Sequence, residues 1–308
     1  MHSLSQLLEQ SQMSGVAIGH FNVSDITLLK AVVSSALELQ VPVLVGVSEG
    51  EREFIGTRQI AALVQSLREE FDFPVFLNAD HTHSLEGAVE AAKCGFDAIT
   101  FDRSPLPFEQ NMRETRQAVE ILKSLNPTII VEGEIGEIGT GSEIHEESPR
   151  ESNQLTTPEE ARQYVEATHI DVLAPAVGNR HGLVKSMVWG TTKKRLDIAL
   201  IAQIKRAVGI PLTLHGGSGT DDDDLRSAIK EGINIVHINT ELRVAWRRGL
   251  EEGLSQDIYQ VVPYEILSFA VESVKRIARS RLELFNGRPF GFKEKAGNPL
   301  DALGPINV

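Results

Sequence analysis

The chain has 308 residues, of which 41% are hydrophobic and 24% are charged, and this globular usage disfavours a disordered, collagen-like or low-complexity protein. It carries 30 Lys and Arg residues against 43 Asp and Glu residues, and the resulting net charge of −13 disfavours nucleic acid and membrane surfaces as partners. Because the N-terminal segment has no signal-peptide pattern and no apolar run is long enough to cross a bilayer, we expect a cytoplasmic protein.

Short apolar runs alternate with amphipathic segments from the N-terminus onward. The predicted strands are, in chain order, Val16–Val23, Pro42–Val47, Pro74–Ala79, Ala98–Phe101, Thr128–Glu134, Val172–Val177, Pro211–Leu214 and Ile233–Ile238. The predicted helices that follow them are Asp25–Leu39, Thr57–Glu70, Leu85–Cys94, Pro107–Leu125, Pro158–Thr168, Leu196–Val208, Asp221–Lys230 and Glu241–Gly253. Consecutive strand–helix units favour an α/β protein of the (β/α)8, or TIM, barrel type over an open doubly wound sheet, whose G-x-G-x-x-G turn is missing here.

The ends of the predicted helices carry residues suited to capping. Possible N-caps are Ser24, Ser84, Thr157 and Thr220, and the glycines that follow helices are Gly95, Gly209 and Gly232. After the eighth helix, Tyr264–Phe285 repeats a helical apolar spacing, and a Gly- and Pro-rich tail follows it. We therefore predict a single barrel domain over residues 1–308, with residues 255–308 as a C-terminal helical extension and tail.

Two segments between predicted elements are longer than barrel connections need to be. Residues 135–157 are Gly-rich, acidic and polar, which is typical of a mobile active-site loop and equally of a disordered surface insertion. Residues 178–194 contain His181, Gly182 and Lys185. Both segments follow strands, so both belong to the end of the barrel where catalysis is expected.

Histidines and carboxylates concentrate at the predicted carboxyl ends of the strands, where (β/α)8 enzymes hold their active sites. The imidazoles of His81, His181 and His215 form a set typical of a catalytic zinc site that keeps one position open for substrate. His83 is an alternative to His81, and Glu134 is a further candidate ligand, near which a second metal could lie. Zinc is the expected metal, with cobalt as the alternative.

Glycine-rich turns after the seventh and eighth predicted strands expose backbone N–H groups, as the phosphate sites of barrel enzymes do. They contain Gly216, Gly217, Ser218, Asn239 and Thr240, and Lys185 could add a positive charge. A metal beside a phosphate admits either carbon–carbon bond chemistry through a metal-stabilised enediolate or metal-assisted hydrolysis. A Schiff-base lysine is disfavoured because no predicted strand contains a lysine.

Six motifs, taken together, resemble the class II, metal-dependent ketose-bisphosphate aldolases over about residues 14–285. They are Phe21-Asn22, Asp80-His81, V-E-G-E-I-G at 131–136, G-x-x-H-G-x-x-K at 178–185, L-H-G-G-S-G at 214–219 and N-T-E-L-R at 239–243. The resemblance implies reversible cleavage of a ketose 1,6-bisphosphate, fructose 1,6-bisphosphate first, to dihydroxyacetone phosphate and glyceraldehyde 3-phosphate. It also implies a homodimer or a higher homo-oligomer, for which Tyr264–Phe285 would supply a packing helix.

The same resemblance implies residue roles. His81, His181 and His215 would bind the zinc, and Asp80 would move the proton of the C4 hydroxyl. Glu143, on the loop after the fifth strand, would handle the carbon-bound proton, with Glu146 and Glu147 as alternatives. The residues implied to bind the substrate and its phosphate are Asn22, Gly182, Lys185, Gly216, Gly217, Ser218, His237, Asn239 and Thr240. A monovalent cation could lie near Gly182.

The chain departs from the family at His237, which stands two residues before Asn239 where asparagine is usual. This imidazole could donate a hydrogen bond, bind a metal or select a different ketose. Tagatose 1,6-bisphosphate or another phosphorylated ketose is therefore the second candidate substrate. A zinc hydrolase and a non-catalytic sugar-phosphate binder are the remaining candidate functions.

Overall fold

The structure, a computed structural model, describes residues 2–139, 141–146, 154–188 and 190–286. Its strands are β1 (Ile18–Asn22), β2 (Val43–Val47), β3 (Val75–Thr82), β4 (Ala98–Phe101), β5 (Ile130–Ile135), β6 (Ile144–His145), β7 (Val172–Pro175), β8 (Leu183–Val184), β9 (Leu212–Leu214) and β10 (Ile233–Ile238). Its helices are α1 (Leu4–Ser14), α2 (Ile26–Leu39), α3 (Glu49–Ile55), α4 (Thr57–Phe71), α5 (Leu85–Lys93), α6 (Phe108–Leu125), α7 (Pro158–Thr168), α8 (Lys185–Val188), α9 (Ile198–Val208), α10 (Asp222–Lys230), α11 (Thr240–Gln256) and α12 (Pro263–Phe285).

Eight parallel strands close into a barrel in the order β1-β10-β9-β7-β5-β4-β3-β2. The predicted (β/α)8 fold is therefore confirmed, and every predicted strand is present with ends shifted by a few residues. The largest shift matters for function, because β3 continues to Thr82 and so carries Asp80 and His81 within the strand itself. The short strands β6 and β8 pair with each other outside the barrel.

Helix α1 closes the amino-terminal end of the barrel. Its buried Leu4, Leu7 and Leu8 belong to one apolar cluster with residues at the starts of the barrel strands, among them Ile18 and Leu44. Packed side chains thus fill this end of the barrel, as the fold requires. The open end is the one formed by the carboxyl ends of the strands.

Some local details differ from the prediction. Ser84 and Thr157 are N-caps as expected, whereas the N-caps predicted at Ser24 and Thr220 are wrong. In both of these cases the next residue, Asp25 or Asp221, caps the helix, because a charged carboxylate is a stronger acceptor for free N–H groups than a hydroxyl.

Helix α3 was not predicted, since its buried residues are the charged Glu51 and Arg52 and it has no apolar stripe.

The first strand, β1, pairs with the last, β10, and this junction is the seam of the barrel. Helix α12 covers the seam by packing against α2, α11 and β1. A Cβ atom at Gly249 would lie 2.5 Å from the carbonyl oxygen of Phe269, so α11 and α12 approach as closely as their backbones allow. The apolar face of α12, which includes Val274, Ala278 and Leu282, is buried within its own chain. That face is therefore covered within the chain, and the homodimer stays a prediction. Among the described residues, no helix combines the length and apolar character needed to span a bilayer.

Candidate active site

A cavity of about 290 Å³ opens at the carboxyl ends of the strands. The predicted site residues that line it are Asn22, Asp80, His81, Glu143, His181, Gly182, Gly216, Ser218, His237, Asn239 and Thr240. A larger hollow of about 1060 Å³ lies on the flank of the barrel between α4 and α5, but no histidine lines it. The chemistry therefore places the site in the smaller cavity.

Three histidines and one glutamate converge beside this cavity. His81, His181, His215 and Glu134 place ligand atoms within 4.8 Å of one another. The Nε2 atom of His81 lies 3.1 Å from Nδ1 of His215, and Oε2 of Glu134 lies 3.3 Å from the same Nδ1. Two buried atoms of the cluster, Nε2 of His181 and Oε2 of Glu134, have no hydrogen-bond partner. The predicted metal ligands thus come together from four strand ends.

Two further carboxylates orient the imidazoles of this cluster. Nδ1 of His81 lies 2.8 Å from Oδ2 of Asp102, and Nε2 of His215 lies 2.7 Å from Oε1 of Glu132. Each contact uses one ring nitrogen and leaves the other, Nε2 of His81 or Nδ1 of His215, facing the centre of the cluster. Carboxylates that fix the tautomer of ligating histidines are typical of metal sites. Sequence analysis missed these orienting roles, although Asp102 directly follows β4, where a polar residue at a strand end is the signal.

The backbone also directs His81 toward the centre. This residue has a φ of 41°, in the left-handed region that a non-glycine residue rarely adopts, and the register between β3 and β4 shifts between Ala79 and Thr82. Such strain persists where surrounding structure enforces it, often at functional sites. His83, the alternative ligand, instead lies with Nδ1 3.1 Å from the backbone oxygen of Asp102 and is not part of the cluster.

Burial dominates the electrostatics of the cluster. It lowers the pKa of His181 well below the usual value and raises the pKa of Glu134 to about 7. Burial also lowers the pKa of His81, but the carboxylates of Asp80, Asp102 and Glu134 outweigh it and raise that pKa to about 10. Unpartnered nitrogen and oxygen atoms in a buried, carboxylate-rich cluster fit a divalent cation, and this donor set is one that Zn²⁺ prefers.

Asp80 lies next to the cluster with one oxygen free. Nδ2 of Asn22 donates to Oδ2 of Asp80 at 2.9 Å, whereas Oδ1 has no hydrogen-bond partner and lies 3.5 Å from Nδ1 of His237. Burial raises the pKa of this carboxyl, but His81, His237 and His20 outweigh that effect and hold the pKa well below its usual range. Asp80 is therefore a carboxylate that faces the cavity.

His237 lies in the middle of a stack of imidazoles. Its ring is 3.5 Å from that of His20, its register partner on β1, and 4.1 Å from that of His215. Its Nε2 atom is buried without a partner, and burial lowers the pKa of the ring, so His237 is a neutral imidazole at the cavity wall. His20 lies fully buried beside it.

The turns after β9 and β10 form another wall of the cavity. Oγ of Ser218 accepts hydrogen bonds from the backbone N–H groups of Asn239 and Glu241 at 3.2 and 3.3 Å, which joins the two turns at the start of α11. Gly217 does not line the cavity, and a Cβ atom there would lie 2.8 Å from the carbonyl oxygen of His237. Lys185 also lies off the wall, where its exposed Nζ pairs with Glu146 at 2.7 Å.

The loop after β5 reaches the cavity as expected. Ser142 and Glu143 line the cavity, and the N–H of Leu183 donates to the backbone oxygen of Glu143 at 2.9 Å. Glu146 is turned away toward Lys185, and Glu147 lies outside the described residues. Of the two described alternatives, the geometry thus favours Glu143 over Glu146.

Two cationic residues of the site received no role from the sequence. Arg243 lines the cavity, and its guanidinium donates to Oε1 of Glu51 at 2.8 Å. Lys194 is buried behind the turns, where burial lowers its pKa to about 7. Arg243 belongs to the N-T-E-L-R motif at 239–243, so the sequence held a signal for it. Lys194 stands in a K-K-R run at 193–195, which is typical of a solvated loop.

A barrel with these groups at its mouth is the architecture of an enzyme that acts on small phosphorylated molecules with the help of a metal. Residues 2–288 match the family model described as fructose-bisphosphate aldolase class-II. The chain is 32% identical to a fructose-bisphosphate aldolase of Thermus caldophilus over 91% of this chain and 96% of the relative. It is 31% identical to a fructose-bisphosphate aldolase of Geobacillus stearothermophilus over 96% of this chain and 98% of the relative.

A solved structure gives the same picture. The crystal structure of the YdjI aldolase from Escherichia coli K12 is 28% identical, with a TM-score of 0.78, and the match covers 93% of this chain and 98% of that one. The chain belongs to the class II fructose-bisphosphate aldolase family. It is therefore an aldehyde-lyase, and the resemblance drawn from its motifs is confirmed.

Proposed function

We propose that the protein is a zinc-dependent aldolase that reversibly cleaves a ketose 1,6-bisphosphate, with fructose 1,6-bisphosphate the first candidate, through an enediolate of dihydroxyacetone phosphate. The convergence of His81, His181, His215 and Glu134 beside the free oxygen of Asp80 carries this proposal. His81, His181, His215 and Glu134 would hold the zinc ion, which would supply a Lewis acid for the substrate carbonyl. Because Glu134 lies in the same cluster as the histidines, we assign it to this metal and not to a second one.

Asp80 is placed to act on the C4 hydroxyl. Cleavage of the C3–C4 bond requires that this hydroxyl lose its proton as the aldehyde forms. Oδ1 of Asp80 is free to accept that proton, while the hydrogen bond from Asn22 holds the other oxygen. In the same reaction Glu143, on the loop at the cavity mouth, would return a proton to the carbon of the departing triose.

The turns after β9 and β10, together with Gly182, would bind the phosphate of the dihydroxyacetone half. Backbone N–H groups at the start of a helix are an anion site that needs little rearrangement on binding. Lys185 would have to leave Glu146 to take part, so the structure supports the backbone more than this lysine. The neutral imidazole of His237 at the wall favours tagatose 1,6-bisphosphate or another phosphorylated ketose as the alternative substrate.

The decisive experiment is a coupled assay for triose phosphates with fructose and tagatose 1,6-bisphosphates, before and after chelation and again after zinc or cobalt is restored. Cleavage that chelation abolishes and zinc restores is the expected result. Release of inorganic phosphate in place of triose phosphates would instead identify a hydrolase. Binding of the ketose without turnover would identify a sugar-phosphate binder.

The matching variant is His237→Asn, which restores the residue usual at this position. Because the ring lines the cavity, the variant should change the ratio of kcat/KM for the two ketose bisphosphates by about threefold or more. An unchanged ratio would remove His237 from substrate selection.

We further propose a homodimer, supported by the exposed apolar residues Ile258, Tyr259, Val261 and Tyr264. A cytoplasmic location stays a prediction.

A further inference from the structure

The ammonium group of Lys194 is enclosed by backbone oxygens. Its Nζ lies within hydrogen-bond distance of the carbonyl oxygens of Arg180, Gly182, Gly216 and Ser218, at 2.6, 2.7, 3.1 and 2.7 Å, which its three N–H groups share. The residue is only 8% exposed, and the ion pairs found within the described part of the chain include none with Lys194. Carbonyl dipoles thus contact the ammonium directly, while the negative charge of Glu241 favours its protonated form without a direct ion pair in the described part of the chain.

The four oxygens come from two turns at the cavity, one after β7 and one after β9, which contain residues proposed to bind the phosphate. Arg180 and Gly182 flank His181, and Gly216 and Ser218 follow His215. The turns touch, since a Cβ atom at Gly216 would lie 2.1 Å from the oxygen of Arg180. Lys194 therefore holds together the segments that carry two of the proposed metal ligands and three of the residues proposed to bind the phosphate, Gly182, Gly216 and Ser218.

The backbone of Lys194 is itself fixed in place. Its N–H donates to the oxygen of Gly219 at 2.9 Å, and its own oxygen accepts from the N–H of Asp221 at 3.1 Å. The side chain therefore leaves a fixed position just beneath the turn after β9. Four carbonyl oxygens around one positive centre are also the surroundings that proteins offer to a bare monovalent cation.

We propose that the ammonium group of Lys194 takes the place of a free monovalent cation beneath the phosphate-binding turns, so that this protein binds its phosphorylated substrate without K⁺, Na⁺ or NH₄⁺. The inference rests on the proposed function, since it takes these turns as the phosphate site. It replaces the monovalent cation expected near Gly182 with a side chain of the protein. Lys194 is accordingly a positioning residue, which acts through the turns and contributes a positive charge behind them.

The first test needs no variant and no turnover. Equilibrium dialysis of the zinc-loaded protein against ⁸⁶Rb⁺ in a tetramethylammonium buffer should show no stoichiometric Rb⁺ binding. About one Rb⁺ bound per chain would overturn the proposal. Because this measurement does not depend on cleavage, it stands even if the protein proves not to cleave a ketose bisphosphate.

The second test measures cleavage with and without added cations. In tetramethylammonium buffer, 100 mM K⁺, Na⁺ or NH₄⁺ should change the wild-type KM by less than about twofold at constant ionic strength. A larger stimulation would overturn the proposal. A failure of the proposed function is distinguishable, since it would leave no cleavage under any of these conditions.

The third test uses matched variants. Lys194→Ala removes the ammonium and leaves space among the carbonyls, so we expect KM to rise about tenfold or more and K⁺ or NH₄⁺ to restore much of the loss. Lys194→Met fills the space without a charge, so its loss should resist rescue. Lys193→Ala, at the exposed neighbouring lysine, should behave like wild type. A folded Lys194→Ala protein with an unchanged KM, or one that no cation rescues, would contradict the proposal.

Discussion

Single residues at the cavity divide into those proposed to hold the metal and those proposed to move protons, Asp80 and Glu143. Asp80 adjoins the metal cluster, but its free oxygen faces the cavity, so its role can be separated from metal binding. Asp80→Asn keeps the shape and can still contact Asn22, yet it cannot accept a proton. We expect full zinc content with kcat lowered by about 10³-fold or more, in keeping with the loss of a positioned base.

Metal analysis beside steady-state kinetics checks this prediction. The control is Asp223→Asn, because the side chain of Asp223 is 89% exposed and contacts only Arg226 through an ion pair on the surface of α10. It should match wild type in both measurements. An Asp80→Asn protein that cleaves at the wild-type rate would exclude Asp80 as the proton acceptor, and one that loses its zinc would give it a role as a ligand.

The pKa values around the metal cluster predict how metal binding depends on pH. Without a metal, His81 keeps its proton at pH 7 because its pKa is raised to about 10, and Glu134, with a pKa of about 7, keeps part of one. Both must lose these protons to ligate zinc, so the apparent affinity for zinc should rise with pH between 6 and 8. Calorimetry in buffers of different ionisation enthalpy should find about one to two protons released per zinc at pH 7. A proton count of zero would show that the cluster is already deprotonated.

At the scale of secondary-structure elements, the contact between α11 and α12 is the tightest constraint. A methyl group at Gly249 would overlap the backbone of Phe269 and Ala270, and an overpacked core costs about 1–3 kcal/mol. The gain in helix propensity from Gly to Ala is about 1 kcal/mol, so the packing term decides. We expect Gly249→Ala to lower the free energy of unfolding, measured in urea, by up to about 2 kcal/mol.

Gly50 gives the opposite case within the same chain. It lies in α3, and nothing is within 4 Å of the position that its Cβ would take. Gly50→Ala should therefore leave the free energy of unfolding unchanged or raise it by up to about 1 kcal/mol. If both variants changed stability by the same amount, close packing of α12 would not be the cause.

At the scale of the whole molecule, the described residues between α11 and α12 form an exposed apolar surface. Ile258 and Tyr259 are 81% and 82% exposed, and Val261 and Tyr264 lie next to them with 80% and 76% exposure. An exposed patch of this kind is typical of an interface. If it joins two subunits, Tyr259→Ser combined with Val261→Ser should convert a dimer into a monomer in light scattering while zinc content stays constant. A wild-type protein that is monomeric at every concentration would place the patch outside any dimer.

The sequence predicted the barrel because its strands are apolar on both faces and alternate with periodic helices. It also predicted that His81, His181 and His215 converge, because histidines cluster at the predicted strand ends more than chance would place them there. It missed α3, whose buried residues are charged, and Lys194, whose burial depends on two distant turns that no local pattern reveals. It likewise missed the contacts of Asp102 with His81 and of Glu132 with His215, because closure of the barrel and not spacing along the chain brings these residues together.

The seam of the barrel has a consequence for the order of folding. β1 pairs with β10, so residue 18 meets residue 235, and the N–H of Ala17 donates to the oxygen of Phe285. During synthesis the first strand therefore keeps an open edge until nearly the whole chain has left the ribosome, which is a long exposure for an apolar strand. The last helix to emerge is also the one that covers this seam. Completion of the enzyme is thus a late and concerted event, and a chain that stops before α12 would be a substrate for chaperones or proteases.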